Sequence, residues 1–173
     1  MDVREICHII VNKHPYSESL NKKLMEDAKR ANYDMAYKTN VKAKMSSYQT
    51  PLTRNIQSIK DWVNSLITNY YWHNAHGYSL DFNELWFAKY GKGDHTVDHH
   101  HNLSWLSFVY FINCPKGSSP LIFTTSGKKI KAEEGKVVIF PSMVQHYVPK
   151  NKCDERVVLA GNLMTPENGL RPK

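Results

Sequence analysis

From residue 83 to residue 163 the chain is a succession of short apolar runs cut by turns, and that rhythm leaves few folds open. The runs are Glu84–Tyr90, Val97–Ile112, Leu121–Thr125, Lys128–Ala132, Val137–Phe140, His146–Val148 and Arg156–Leu163. Between them stand Gly91-Lys92-Gly93, Pro115-Lys116-Gly117, Ser126-Gly127, Glu134-Gly135 and Lys150-Asn151, segments rich in the residue types that reverse a chain. Short strands at such intervals predict an antiparallel sandwich or barrel, in which the apolar face of each strand finds a partner.

Upstream of residue 80 the apolar period changes. Ser17 followed by Leu20, Leu24, Met25 and Ala28 predicts a helix ending near Asn32. Thr53 caps a second, along which Ile56, Ile59, Trp62/Val63, Leu66/Ile67 and Tyr70 recur at helical spacing. That stripe reads as a core-facing ridge, and the stretch from Thr39 to Thr50 as extended chain or loop. The expected architecture is mainly β with N-terminal helices: a jelly-roll or cupin-like barrel with helices packed on one face. One domain over 1–173 is expected, with 1–80 a mostly helical scaffold and 81–165 the barrel core; 173 residues suffice to bury such a core.

Composition excludes several classes. No apolar run reaches membrane-spanning length, and Met1-Asp2-Val3-Arg4-Glu5 lacks the features of a signal peptide, so a cytoplasmic protein without membrane attachment is expected. Cys7, Cys114 and Cys153 are too few and too scattered for a disulfide framework or a zinc motif, and they read as reduced thiols. The net charge of +7 favours contact with polyanions in general. No nucleic-acid-binding signature accompanies its short basic pieces, Lys42/Lys44 and Lys128/Lys129/Lys131.

The residues that carry chemistry are ordered His99-x-His101, His146, Arg156. On one long strand, Val97–Ile112, alternation would put His99 and His101 on a common face, with Asp98 and His100 opposite. The run Gly135-Lys136-Val137-Val138-Ile139-Phe140-Pro141 reads as turn, buried strand and break, delivering His146 from across the barrel. Three imidazoles can hold one face of an Fe(II) ion and leave its other positions open. A following arginine can clamp the far carboxylate of a dicarboxylic cosubstrate through paired hydrogen bonds. A single histidine is more often solvated or structural; the joint pattern is what points to a metal.

The stretch from Trp86 to Asn162 resembles the double-stranded β-helix of 2-oxoglutarate/Fe(II)-dependent oxygenases, in particular the small prolyl-hydroxylase-like members of phages and marine microbes. The matching segments are Trp86 to Asp94, His99-His100-His101, Leu106 to Ile112, Gly135 to Pro141, His146-Tyr147-Val148-Pro149 and Arg156 to Asn162. The resemblance implies an oxidoreductase, a hydroxylase, that uses Fe(II), O2 and 2-oxoglutarate, yielding succinate and CO2 as the substrate is oxidised. It implies His99 as the first metal ligand, His146 as the last, and Arg156 as the anchor of the distal carboxylate. Tyr90 matches a tyrosine that reaches the cosubstrate in prolyl-hydroxylase-like members; a core aromatic is the alternative.

The chain departs from the family at two points. Where the family places a carboxylate, two residues after the first histidine, this chain has His101, with Asp98 on a distorted strand as the alternative ligand. Where many relatives place a serine, two residues after the arginine, it has Val158, and Ser107 or Asn162 is expected to substitute. His95 is expected on the rim of the site. Substrate contacts are expected from Asn69 to Ser79 and from the turn Gly117-Ser118-Ser119-Pro120. A peptide, a small molecule and a nucleic acid stay open as substrate, as do a monomer and a homodimer.

Two other readings compete. A cupin-type metalloenzyme would use the three histidines without 2-oxoglutarate, but Asn102 to Val109 holds no acid where its first motif wants glutamate, and Met143 stands where its second wants glycine. A catalytically silent β-barrel binding module would carry the histidines without a metal.

Overall fold

The computed structural model describes residues 7–71 and 80–164. Its elements, in chain order, are β1 (Ile10–Lys13), α1 (Ser17–Arg30), β2 (Val41–Lys42), β3 (Lys44–Met45), α2 (Arg54–Tyr71), β4 (Asp81–Tyr90), β5 (His95–His99), β6 (Leu106–Asn113), β7 (Leu121–Phe123), β8 (Lys129–Ile130), β9 (Lys136–Pro141), β10 (His146–Val148) and β11 (Arg156–Met164). Both helices fall where their apolar spacing predicts. The Thr53 hydroxyl accepts a hydrogen bond from the Ile56 amide at 3.2 Å, which satisfies one of the open amides at the start of α2. Lys29 and Arg30 occupy the last turn of α1, where cations complement the helix dipole.

The strands form two antiparallel sheets, one ordered β1-β9-β6-β11-β4-β3 and the other β2-β5-β10-β7-β8. The alternation along β4 explains how they stack. Leu85 and Phe87 point outward to Leu24, Ile56, Ile59 and Val63 of the helices, whereas Trp86, Ala88 and Tyr90 point inward. The inner side chains meet Phe111, Phe123 and Phe140 between the sheets. β11 is buried on both faces, which accounts for its unbroken apolar run Val157-Val158-Leu159-Ala160. Each large side chain removed from water here stabilises the fold by about 1.5–3 kcal/mol. The helices thus cover one outer face of the larger sheet, as expected. No helix among the described residues is long and apolar enough to cross a membrane.

One expectation is corrected. Val97–Ile112 is not a single strand: β5 ends at His99 in the small sheet, and β6 begins at Leu106 in the large one. The crossing at 100–105 is a turn in which the Ser104 amide donates to the His101 carbonyl. Leu103 and Trp105 prolong the apolar pattern, but they are 84% and 54% exposed. The segments expected to be loop or helical scaffold also supply strands, since β1 pairs with β9, β2 with β5 and β3 with β4.

Candidate metal centre and anion pocket

Two devices place the three histidines. His99 and His146 face each other as a cross-strand pair of β5 and β10. His101 lies beyond the end of β5, held by its own amide, which donates to the Ser142 carbonyl at 2.8 Å. The ring centroids lie 4.3 Å apart for His99 and His146, 4.8 Å for His99 and His101, and 5.4 Å for His101 and His146. One ring nitrogen from each falls within 4.8 Å of the others. The turn after β5, and not the strand alternation expected from the sequence, brings His101 round.

The protonation of these rings suits a metal. His99 Nδ1 lies 2.8 Å from the Val97 carbonyl, and His146 Nδ1 lies 2.9 Å from that of Val144. A carbonyl only accepts, so both rings carry their proton on Nδ1 and leave Nε2 bare. Burial, then the charges of His99 and His146, hold His101 down to about 3. Burial, then His99, holds His146 down to about 4, and His99 itself lies below its ordinary value, chiefly through burial. Near neutral pH the cluster is therefore three uncharged imidazoles.

Behind His101 stands a polar group that the sequence does not link to it. The Asn162 amide nitrogen lies 3.3 Å from His101 Nδ1. The Asn162 carbonyl oxygen accepts from the Ser107 hydroxyl at 2.7 Å, and Ser107 shares a further bond with Ser142 at 2.8 Å. Ser107 and Asn162, paired across β6 and β11, thus sit at the His101 end of the site.

Arg156 opens β11 at the other end, and its side chain is 1% exposed. Its guanidinium lies over Tyr90 at 4.5 Å from the ring centroid and near Phe111 at 5.5 Å. Among the described residues its Nε and Nη1 find no hydrogen-bond partner and it makes no salt bridge. The Tyr90 hydroxyl meets Thr96 Oγ1 at 2.7 Å. One cavity between the sheets is lined by Arg156, Tyr90, the three histidines, Ser107 and Asn162, closed by apolar walls such as Phe140 and Val158. A buried cation with open donors, in a cavity shared with three converging imidazoles, suits a ligand that is anionic at one end and chelating at the other.

Other sequence candidates lie elsewhere. The Asp98 carboxylate accepts from the Thr124 hydroxyl at 2.6 Å, away from the three converging nitrogens. His95 pairs with Lys42 on β2 and does not line the cavity. The turn 117–120 packs on Asn151, whose side-chain oxygen accepts from the Ser119 amide at 3.0 Å, and it lines neither this cavity nor the cleft outside it. Of Asn69 to Ser79, residues 72–79 lie outside the described residues.

No protein-family model and no curated protein sequence matches the chain. Solved structures do. The viral collagen prolyl hydroxylase of Paramecium bursaria Chlorella virus-1, in its 2OG complex, superposes with a TM-score of 0.73 at 12% identity over 90% of this chain and 94% of its own. A prolyl-4-hydroxylase from Pseudomonas putida gives 0.68 at 20% identity, over 91% and 92%. An oxidoreductase of the 2OG-Fe(II) oxygenase family from Burkholderia pseudomallei gives 0.70 at 9% identity, over 90% and 84%. The fold of the chain is that of the 2OG-Fe(II) oxygenases and prolyl hydroxylases.

Proposed function

We propose that this chain is an Fe(II)- and 2-oxoglutarate-dependent oxygenase, a hydroxylase built on a double-stranded β-helix. The observation that carries the reading is the buried Arg156 with open donors, lining the same cavity as three histidines whose ring nitrogens lie within 4.8 Å of one another. Bound there, Fe(II) and 2-oxoglutarate supply the O2-dependent chemistry that yields succinate and CO2 and oxidises the substrate.

The residues have separable tasks. His99, His101 and His146 would hold the metal as neutral ligands. Three imidazoles add no negative charge, so an anionic cosubstrate would balance the metal, with Arg156 as the residue that would hold its distal carboxylate. Tyr90 and Phe111 fix the guanidinium plane so that its free edge addresses the distal carboxylate. Phe140, Val158 and Ala160 keep water from the cavity, which strengthens every charge interaction inside it. The anion-binding arginine is the reason for preferring this reading over a cupin-type site, which has no use for it.

The test is succinate formation from 2-oxoglutarate by the full chain with Fe(II) in air. Dependence on both Fe(II) and O2, with loss in His146→Ala, is the expected result. No succinate above background from protein that holds one iron per chain would overturn the cosubstrate and leave a three-histidine metalloenzyme of cupin type.

A further inference from the structure

The inner face of the large sheet carries opposite charges at its two ends. β4 and β11 run antiparallel, with Arg156 paired to Tyr90 at one end and Asn162 paired to Glu84 at the other. Arg156 closes the inner cavity. Glu84 lines a second, wider cleft of about 400 Å³ outside it, which shares Trp86, His99, His101 and Asn162 with the first. The histidines are thus the boundary between an inner anion pocket and an outer cleft.

The chemistry of the outer cleft is that of a cation site. The protein has 23 Lys and Arg against 16 Asp and Glu, yet the only formally charged side chain on this cleft among the described residues is Glu84. Among the described residues Glu84 makes no salt bridge. One carboxylate oxygen, Oε2, accepts from the Asn162 amide, which fixes the group in place. Asn83 lines the same cleft, and its Oδ1 is a buried acceptor with no donor among the described residues. Trp86 and Tyr48 pack edge to face, with ring centroids 5.3 Å apart, and line the same cleft. A carboxylate, an unmet carbonyl and two aromatic rings match a group that is positively charged, rich in N–H donors and able to lie on a π face.

We propose that the outer cleft holds a cationic nitrogen group of the substrate, of the arginine or lysine side-chain class, with Glu84 as its counter-ion and Asn83 and Trp86 as its further contacts. This rests on the oxygenase reading for the consequence that the carbon chain bearing the cation passes the histidines and is the part oxidised. Binding itself does not depend on that reading. The same cation is offered by a free amino acid or by a side chain within a polypeptide.

The test is an NMR titration of the full chain, without added metal or 2-oxoglutarate, following the amides of Asn83, Glu84 and Trp86. The probes are N-acetyl-arginine amide, N-acetyl-lysine amide and the neutral isostere N-acetyl-citrulline amide, with free L-arginine alongside. Cationic probes are expected to bind at least tenfold more tightly than the citrulline compound, since one charge-assisted hydrogen bond is worth about that factor. Glu84→Gln, which keeps the shape and an acceptor for Asn162, is expected to abolish the difference. Preference for the blocked probes assigns the cation to a polypeptide, and preference for free L-arginine to a small molecule. Equal affinity for arginine and citrulline probes, a preference that survives Glu84→Gln, or no saturable shift with any cation overturns the proposal. Because the titration needs neither iron nor cosubstrate, its outcome is independent of whether succinate is formed.

Discussion

Replacing Arg156 by methionine should move stability in opposite directions with and without 2-oxoglutarate. The Arg156 side chain is 1% exposed, and its Nε and Nη1 meet no acceptor among the described residues. An unmet buried donor costs about 1–3 kcal/mol, so the pair costs roughly 2–6 kcal/mol. Methionine fills similar space without polar atoms and forfeits the stacking on Tyr90 and Phe111, worth about 1–2 kcal/mol. The variant is therefore expected to be more stable than the wild type by up to about 5 kcal/mol, or several degrees in Tm at about 2–4 °C per kcal/mol for a chain of this size. Added 2-oxoglutarate reverses the order. At one hundred times Kd a ligand adds about 2.7 kcal/mol, hence roughly 5–11 °C for the wild type. Arg156→Met loses two charge-assisted bonds at about 1.5–3 kcal/mol each and should show no shift at the same concentration. The assay is thermal unfolding of Zn(II)-loaded protein, which is redox-silent, with and without 2-oxoglutarate. A variant less stable than the wild type without ligand, or equally stabilised by it, would refute the argument.

Further outcomes follow from the same geometry. His101 and His146, held down to about 3 and 4 and so below their unfolded value of 6.5, should contribute stability that is complete above about pH 6.5 and lost as pH falls through those folded values. The urea midpoint of metal-free protein should accordingly drop between pH 7 and pH 5, and a flat profile would contradict the protonation scheme. Asn162→Ala removes the polar group behind His101, and metal affinity measured by competition with a chelator should fall about 10–100-fold; an unchanged affinity would show that the contact does not position the ring. At Gly161 an added Cβ would lie 2.6 Å from the Glu84 carbonyl oxygen and 2.7 Å from Phe108. Gly161→Ala should therefore destabilise by about 1–3 kcal/mol in urea unfolding, and a neutral result would mean that β4 and β11 can part at no cost.

Much of this was legible in the sequence because alternation and turn residues are local signals. The strand ending at Tyr90, the buried run of β9 and the position of His146 all follow from apolar period and punctuation. What escaped did so for physical reasons. The break after His99 is hidden because Leu103 and Trp105 continue an apolar pattern on solvent-exposed positions, so a turn imitates a strand. β1, Ile10–Lys13, depends on an edge of β9 that lies more than a hundred residues away. β2 and β3 are two residues each and exist only through their partners β5 and β4. The placement of Glu84 could not be read at all, because the bond to Asn162 that holds it spans 78 positions of sequence.

The central claim is that one ion at His99, His101 and His146 and one dicarboxylate at Arg156 occupy the same cavity. The most direct measurement is an anaerobic titration of Fe(II)-loaded protein with 2-oxoglutarate, followed by its visible iron-to-cosubstrate charge-transfer band. A saturable band at one equivalent, requiring at least a hundredfold more 2-oxoglutarate in Arg156→Met, is the predicted result. Bound iron that develops no band at any cosubstrate concentration would contradict the claim.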